Sequence, residues 1–222
     1  MKEQSKISGL HKSWLALAVF LAAFVLAFSA WLTPAAAETM NCTVIDALPY
    51  TVNVEGIYCL SASLSVNLAA GDAITIDADN VVLDLNGHEI VNNNNGMSNT
   101  AYGIYSHNHR NVTVRNGTVR WFFIAVILND DAIGANTGHI VEQMRIDQNR
   151  YEGIYVVGRG NIVRNNLVLA TGGTTALGAN PAAYGIWVNG LGPRIVGNEV
   201  EWVYGQGTGK GHGIFLSNDV RG

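Results

Sequence analysis

A short phrase returns five times along the chain and constrains its fold more than any other feature: a small residue, then Ile or Val, then a bulky residue. It reads YGIYS from Tyr102, IAVIL from Ile124, EGIYV from Glu152, YGIWV from Tyr184 and HGIFL from His212. The aliphatic residue after the small one stands at 104, 126, 154, 186 and 214, so the spacings are 22, 28, 32 and 28 residues. A unit of about 22 residues with insertions marks a repeat architecture, in which each unit buries its apolar side against its neighbours.

Each phrase is followed by a second apolar and polar alternation: NVTVRNGTV, HIVEQMRI, NIVRNNLVL or PRIVGNEVEW. An earlier copy, NVVLDLNGHEI, spans 80–90. Alternation bounded by Asn, Gly and Asp is a strand signal, and no stretch after residue 40 carries a 3.6-residue apolar stripe. The longer stretches VNNNNGMSNTA, DQNRYE, TGGTTALGANPAA and VYGQGTGKGH all fall between a second run and the next phrase, whereas NDDAIGANTG falls at the opposite corner. Insertions confined to corners are what stacked coils allow, because a corner loop grows without disturbing the ladder between coils.

The segments ITIDADNVVLDLNGHEI, GIY followed by NVTVRNGTV, and GIYVVGRGNIVRNNLV resemble the right-handed parallel β-helix repeats of pectate-lyase-like proteins and their periplasmic copper-maturation relatives. The resemblance covers about residues 72–222. It implies an all-β, right-handed, single-stranded parallel β-helix of about six coils. It is unspecific for activity, because that family includes lyases, hydrolases, epimerases and plain binding modules.

The period of two assigns directions within each phrase. Ile104, Val126, Ile154, Ile186 and Ile214 are expected to face inward, and Tyr105, Ile127, Tyr155, Trp187 and Phe215 outward. With strands about 4.8 Å apart, the outer set forms a nearly continuous aromatic column. Tyr105, Tyr155, Trp187 and Phe215 are therefore the candidate carbohydrate-binding residues, on which sugar rings would stack; cross-strand ring pairing that stabilises the sheet is the plainer alternative. In the second run Asp84, Arg115, Glu142 and Arg164 align outward with alternating sign, which reads as an ion-pair ladder. A lyase resemblance would instead make an arginine there a base, with carboxylates holding calcium. Asn166 and Asn198 stand at the bend after this run, where their amides can satisfy corner backbone groups.

His107 and His109 sit in the corner between the first and second runs, and the matching corner of the next coil begins Asn129-Asp130-Asp131. Stacking could bring the four side chains His107, His109, Asp130 and Asp131 together as a zinc or copper site, or as an acid/base pair. Turn chemistry explains the same residues, since His, Asn and Asp tolerate corner geometry. The fragments NDD at 129–131 and GHG at 211–213 resemble polygalacturonase signatures, but they lie about 80 residues apart here instead of about one coil. No cofactor is required by the sequence; a divalent calcium, zinc or copper ion is the candidate.

The remaining bounds concern compartment and partners. Lys2, Lys6 and Lys12 precede an apolar run from Trp14 to Leu32, and Ala35 and Ala37 fit a cleavage site. Residues 1–37 thus read as a signal peptide and the product as secreted or periplasmic, with an uncleaved anchor across 14–32 as the alternative. Loss of that leader removes three lysines and one glutamate from 13 basic and 17 acidic side chains, leaving 10 and 16. An acidic chain without a basic stripe has no electrostatic footprint for nucleic acid. Residues 38–71 read as an N-terminal cap region, in which Cys42 and Cys59, the only cysteines, can pair in an oxidising compartment. The repeats occupy 72–222, and GIFLSNDVRG opens a new coil at the end, which favours truncation over an exposed edge that pairs with something else. The expected role is binding or processing of an extracellular polysaccharide. The alternative is a noncatalytic envelope or surface module, including periplasmic metal handling.

Overall fold

The computed structural model describes residues 41–132 and 135–218. The leader at 1–37 and the alternative anchor at 14–32 lie outside the described residues. Among the described residues all regular elements are strands, and no helix is long and apolar enough to cross a membrane.

In chain order the strands are β1 (Thr43–Ile45), β2 (Tyr50–Val52), β3 (Gly56–Leu60), β4 (Leu64–Val66), β5 (Asp72–Ile76) and β6 (Val81–Asp84). They continue as β7 (Glu89–Asn92), β8 (Tyr102–His107), β9 (Thr113–Arg120), β10 (Ile124–Asn129), β11 (Ile140–Asp147) and β12 (Glu152–Val157). The last are β13 (Ile162–Arg164), β14 (Leu167–Leu169), β15 (Ala183–Asn189), β16 (Arg194–Val196), β17 (Glu199–Glu201) and β18 (Gly211–Ser217).

Two parallel sheets result. The first runs β1-β3-β6-β9-β11-β13-β16, with β4, β7, β14 and β17 joined beside that path; the second runs β2-β5-β8-β10-β12-β15-β18. Parallel neighbours cannot be joined by a tight hairpin and need a crossover. Here each crossover between strands of the second sheet is made by one or two strands of the first, so the chain alternates between sheets throughout. Strands β1–β4 of the expected cap region pair with β3, β5, β6 and β7, which joins that region to both sheets. The Cys42–Cys59 disulfide, with Cα atoms 5.8 Å apart, ties the start of β1 to β3.

The corners have a common backbone device. Asn116, Gln143, Asn165 and Gly197 lie in the left-handed region (φ 59°, 53°, 55° and 65°), each directly after a residue of one registered row: Arg115, Glu142, Arg164 and Val196. A second row of left-handed residues, Trp121, Gln148, Ala170 and Trp202, follows Arg120, Asp147, Leu169 and Glu201. One left-handed residue turns the chain sharply without ending the ladder, and Asn adopts it at little cost. The neighbouring amides then close the corner. Asn166 donates to the Val141 carbonyl (2.9 Å) and to Asn198 Oδ1 (2.9 Å), and Asn198 donates to the Val163 carbonyl (2.8 Å).

The core lies between the two sheets. Ile74, Ile104, Val126, Ile154, Ile186 and Ile214 are consecutive register partners, as are Ile76, Ser106, Leu128, Val156, Val188 and Leu216. From Ile74 to Val188 these side chains are at most 1% exposed, whereas Ile214 and Leu216 at the last strand are 46% and 43% exposed. Ser106 is the polar member, and its hydroxyl donates to the Ile76 carbonyl at 3.1 Å.

The small residue of the repeated phrase is explained by close approach. A Cβ at Gly153 would lie 2.5 Å from the Gly185 carbonyl oxygen of the next strand and 2.8 Å from Val168 Cγ1; at Gly103 it would lie 2.5 Å from the Ala125 oxygen. The register skips this residue: Tyr102 and Ile104 pair with Ile124 and Val126, while Gly103 pairs with nothing. Two side chains per phrase, Tyr102 and Tyr105, thereby reach the same outer face, and their rings stack with centroids 5.6 Å apart.

Candidate functional site: the outer face of the second sheet

That register builds two outer rows. One is Asp72, Tyr102, Ile124, Glu152, Tyr184 and His212; the other is Thr75, Tyr105, Ile127, Tyr155, Trp187 and Phe215. Within the second row the rings of Tyr155, Trp187 and Phe215 follow one another at 4.9 and 5.7 Å. Ile127 interrupts the row before Tyr105. It is only 6% exposed and forms a small apolar cluster with Phe123 and Ile124, against which Tyr102, Tyr105, Tyr151, Tyr155 and Ala176 pack. The ring succession therefore passes sideways around Ile127, from Tyr102 to Phe123 (6.3 Å), to Tyr151 (5.0 Å), to Tyr184 (6.0 Å) and back to Trp187 (4.7 Å). The four sequence candidates are half-buried rings on one face, but the band they belong to includes Tyr102, Phe123, Tyr151 and Tyr184 as well.

Polar groups are set among the rings. Trp187 Nε1 donates to Ser217 Oγ at 2.9 Å, and Tyr155 is hydrogen-bonded with Asn189. Thr75 donates to Asp72 at 3.1 Å, and partial burial raises the Asp72 carboxyl above its ordinary range. Glu152 is 2% exposed, and its Oε2 has no hydrogen-bond partner among the described residues. Desolvation pushes its carboxyl up to about 8, opposed only in part by a hydrogen bond with Tyr151. Burial likewise raises the phenols of Tyr102, Tyr105, Tyr151 and Tyr155, so they stay neutral donors near neutral pH. Two corner segments flank this face. The Thr175 amide of 171–181 donates to the Met97 carbonyl of 93–100 at 2.9 Å, and Ala176 packs on the Phe123 cluster.

The histidine corner divides. His107 Nε2 meets Asp131 Oδ1 at 2.8 Å across the stack, and Asn108 holds Asp131 in place twice, its Nδ2 donating to Asp131 Oδ2 and its Oδ1 accepting from the Asp131 amide, each at 3.0 Å. Those bonds, Asn108 first, hold the exposed Asp131 carboxyl below its ordinary range. His109 turns to the preceding repeat instead, with Nε2 3.0 Å from Asp77 and Nδ1 3.2 Å from Asp79. Asp130 accepts from the Ala132 amide at 2.7 Å. The four residues read as one ligand set are thus shared among three separate contacts, because a corner side chain can face either neighbouring repeat. Among the described residues no group of three or more His, Cys, Asp or Glu is arranged to hold a metal. His139, beneath this corner, is 1% exposed. Its Nδ1 accepts from the Val112 amide (3.3 Å), its Nε2 has no partner among the described residues, and burial pushes its pKa down to about 4.

The charged row of the first sheet is an ion-pair ladder. Asp84, Arg115, Glu142 and Arg164 are successive register partners, with Arg115 Nε 2.8 Å from Asp84 and Arg164 Nη2 2.6 Å from Glu142. Both arginines are engaged by carboxylates, which accounts for their alternation without a proton-abstraction role.

Sequence reasoning missed Asp72, Glu152, Phe123 and Tyr151 on the aromatic face, and Asp77 and Asp79 as partners of His109. Aligning DAITI and EGIYV with YGIYS would have put Asp72 and Glu152 in the Tyr102 row; nothing in the sequence signals that Glu152 is covered. Comparison with family models, with curated proteins and with solved structures gave no match.

Proposed function

We propose that this chain is an exported right-handed parallel β-helix whose outer aromatic face binds an extracellular carbohydrate polymer. The alternation of two parallel sheets supports the coiled reading, and the disulfide fits a non-cytosolic compartment. The observation that carries the binding reading is the band of half-buried rings held in register at strand spacing along one face. Flat rings bordered by hydrogen-bonding groups suit the apolar faces and hydroxyl rims of sugars.

Binding is better supported than bond cleavage. The two carboxyls in the outer row, Asp72 and Glu152, stand three strand spacings apart, about 14 Å. Paired glycosidase carboxyls work at roughly 5 to 9.5 Å. The test is co-sedimentation with insoluble polysaccharides together with an assay for new reducing or unsaturated ends. Retention without new ends is the expected result. New ends would make the protein an enzyme, and absence of retention on every polymer would remove the carbohydrate reading.

A second reading, a noncatalytic structural or surface module, is favoured by the Phe123-Ile124-Ile127 cluster, which shows that part of the same face is packed as core. Stoichiometric zinc or copper retention lost in His107→Ala and His109→Ala would move that reading toward metal handling.

A further inference from the structure

Glu152 is an acid enclosed by the ring band. The register sets it in the outer row between Ile124 and Tyr184, yet it is 2% exposed and its Oε2 has no hydrogen-bond partner among the described residues. Its surroundings are aromatic. Tyr151 hydrogen-bonds with the carboxyl, Phe123 stacks on Tyr151 with centroids 5.0 Å apart, and Tyr184 meets Tyr151 edge-on at 6.0 Å. The ionisable groups that face it are phenols: Tyr102 on β8, Tyr151 at the corner, Tyr155 on β12 itself and Tyr184 on β15. Strand β10 and the corner segments 93–100 and 171–181 contain no ionisable residue. Along its own row Asp72 stands three strand spacings away on β5 and His212 two on β18, about 14 and about 10 Å, with Lys210 entering β18. Arg150, at the same corner as Tyr151, donates to the Asn95 carbonyl.

We infer, resting on the carbohydrate reading above, that Glu152 is a proton-sensitive positioning residue of the glycan face: neutral, it holds the Phe123–Tyr151 pair in line with Tyr184, and ionised, it opens that corner and releases the polymer. Loss of the proton to solvent leaves a carboxylate with one phenol donor and a second oxygen that has none. A buried anion so placed is far costlier than the neutral acid, and it recovers water only where its cover moves aside. Opening one corner leaves both ladders paired, so it costs less than unfolding the chain. The ring succession from Tyr102 to Tyr184 passes through Phe123 and Tyr151, and displacing that pair divides the band. Burial pushes the Glu152 carboxyl up to about 8, which puts the transition on the alkaline side of neutral.

Co-sedimentation of the full chain with cellulose, chitin and insoluble mannan from pH 6.5 to 9.5 tests this, for the parent, Glu152→Gln and Tyr151→Phe, each checked for folding by thermal unfolding at every pH. The parent's affinity for a polymer that retains it at pH 6.5 should fall at least about tenfold across the range. Glu152→Gln, which has no proton to lose there, should stay bound throughout. Tyr151→Phe keeps the ring but removes the donor that favours the ionised carboxyl, so its release should move to higher pH. Asp72, Lys210 and His212 are common to all three chains, so their titration does not separate the profiles. Parallel profiles for the parent and Glu152→Gln, flat or falling, or release of Tyr151→Phe at or below the parent's pH, overturn the switch and leave carbohydrate binding standing. No retention on any polymer at any pH overturns both.

Discussion

Glu152 and His139 are buried ionisable side chains whose environments push their proton affinities in opposite directions. Glu152 is raised from about 4.5 in the unfolded chain to about 8. Its neutral form therefore favours the folded state, and the contribution is complete below pH 4.5 and lost as pH rises toward 8. In Glu152→Gln the melting temperature should decline less between pH 6.5 and 8.5 than in the parent chain; parallel profiles would show that the carboxyl is solvated. Burial is also what the sequence concealed here. Counted back by twos from inward Ile154, Glu152 would face inward; the glycine that the register skips turns it to the outer face, where side chains are ordinarily wet. Its chain neighbour Tyr151 hydrogen-bonds with the carboxyl, and Phe123 of the preceding repeat stacks on Tyr151 at 5.0 Å, a contact that is not local in sequence. His109 was illegible for a related reason: a corner residue has two neighbouring repeats, and its choice of Asp77 and Asp79 over Asp130 depends on three-dimensional direction alone.

Strands carry the part of the fold that was legible. Ile104, Val126, Ile154, Ile186 and Ile214 were expected to stack inward because each follows a small residue and begins an alternating run, and they are consecutive register partners. The sequence puts a bend after the charged position of the second run, yet β9 and β11 continue past that position as single eight-residue strands, bent at Asn116 and Gln143. A strand that bends at a single left-handed residue keeps its ladder, and hydrophobic periodicity does not distinguish that from a break. The glycine of the phrase has a direct consequence. In Gly153→Ala the added methyl meets the Gly185 carbonyl oxygen and Val168 Cγ1 at 2.5 and 2.8 Å, and rigid backbone cannot yield as a long side chain would. A loss of roughly 1 to 3 kcal/mol is expected in denaturant titration. A change below about 0.5 kcal/mol, the size of a typical surface substitution, would show that the strands are not held so closely.

Across the whole molecule the two buried titrations combine. His139, lowered from 6.5 to about 4, contributes stability that is complete above pH 6.5 and lost as pH falls toward 4. Its loss offsets the Glu152 gain between pH 4.5 and 6.5, so the stability of the chain from Cys42 onward should be flat across that window and fall on both sides. Thermal unfolding from pH 3.5 to 8.5 would show it, and a maximum near pH 8 would contradict it. Reduction of Cys42–Cys59, which closes a 17-residue separation, should lower stability by about 3 kcal/mol on the chain-entropy estimate.

The central claim is that the outer rings of the second sheet, and not the charged row of the first, contact the glycan. The most direct measurement compares retention on an insoluble neutral polysaccharide for the parent chain, for Trp187→Ala and for Arg164→Ala. Both side chains lie outside the core, on opposite sheets, so loss of folding is not expected to separate them. The account requires retention to be lost in Trp187→Ala and kept in Arg164→Ala. Retention that survives Trp187→Ala, or that disappears in Arg164→Ala instead, would contradict it.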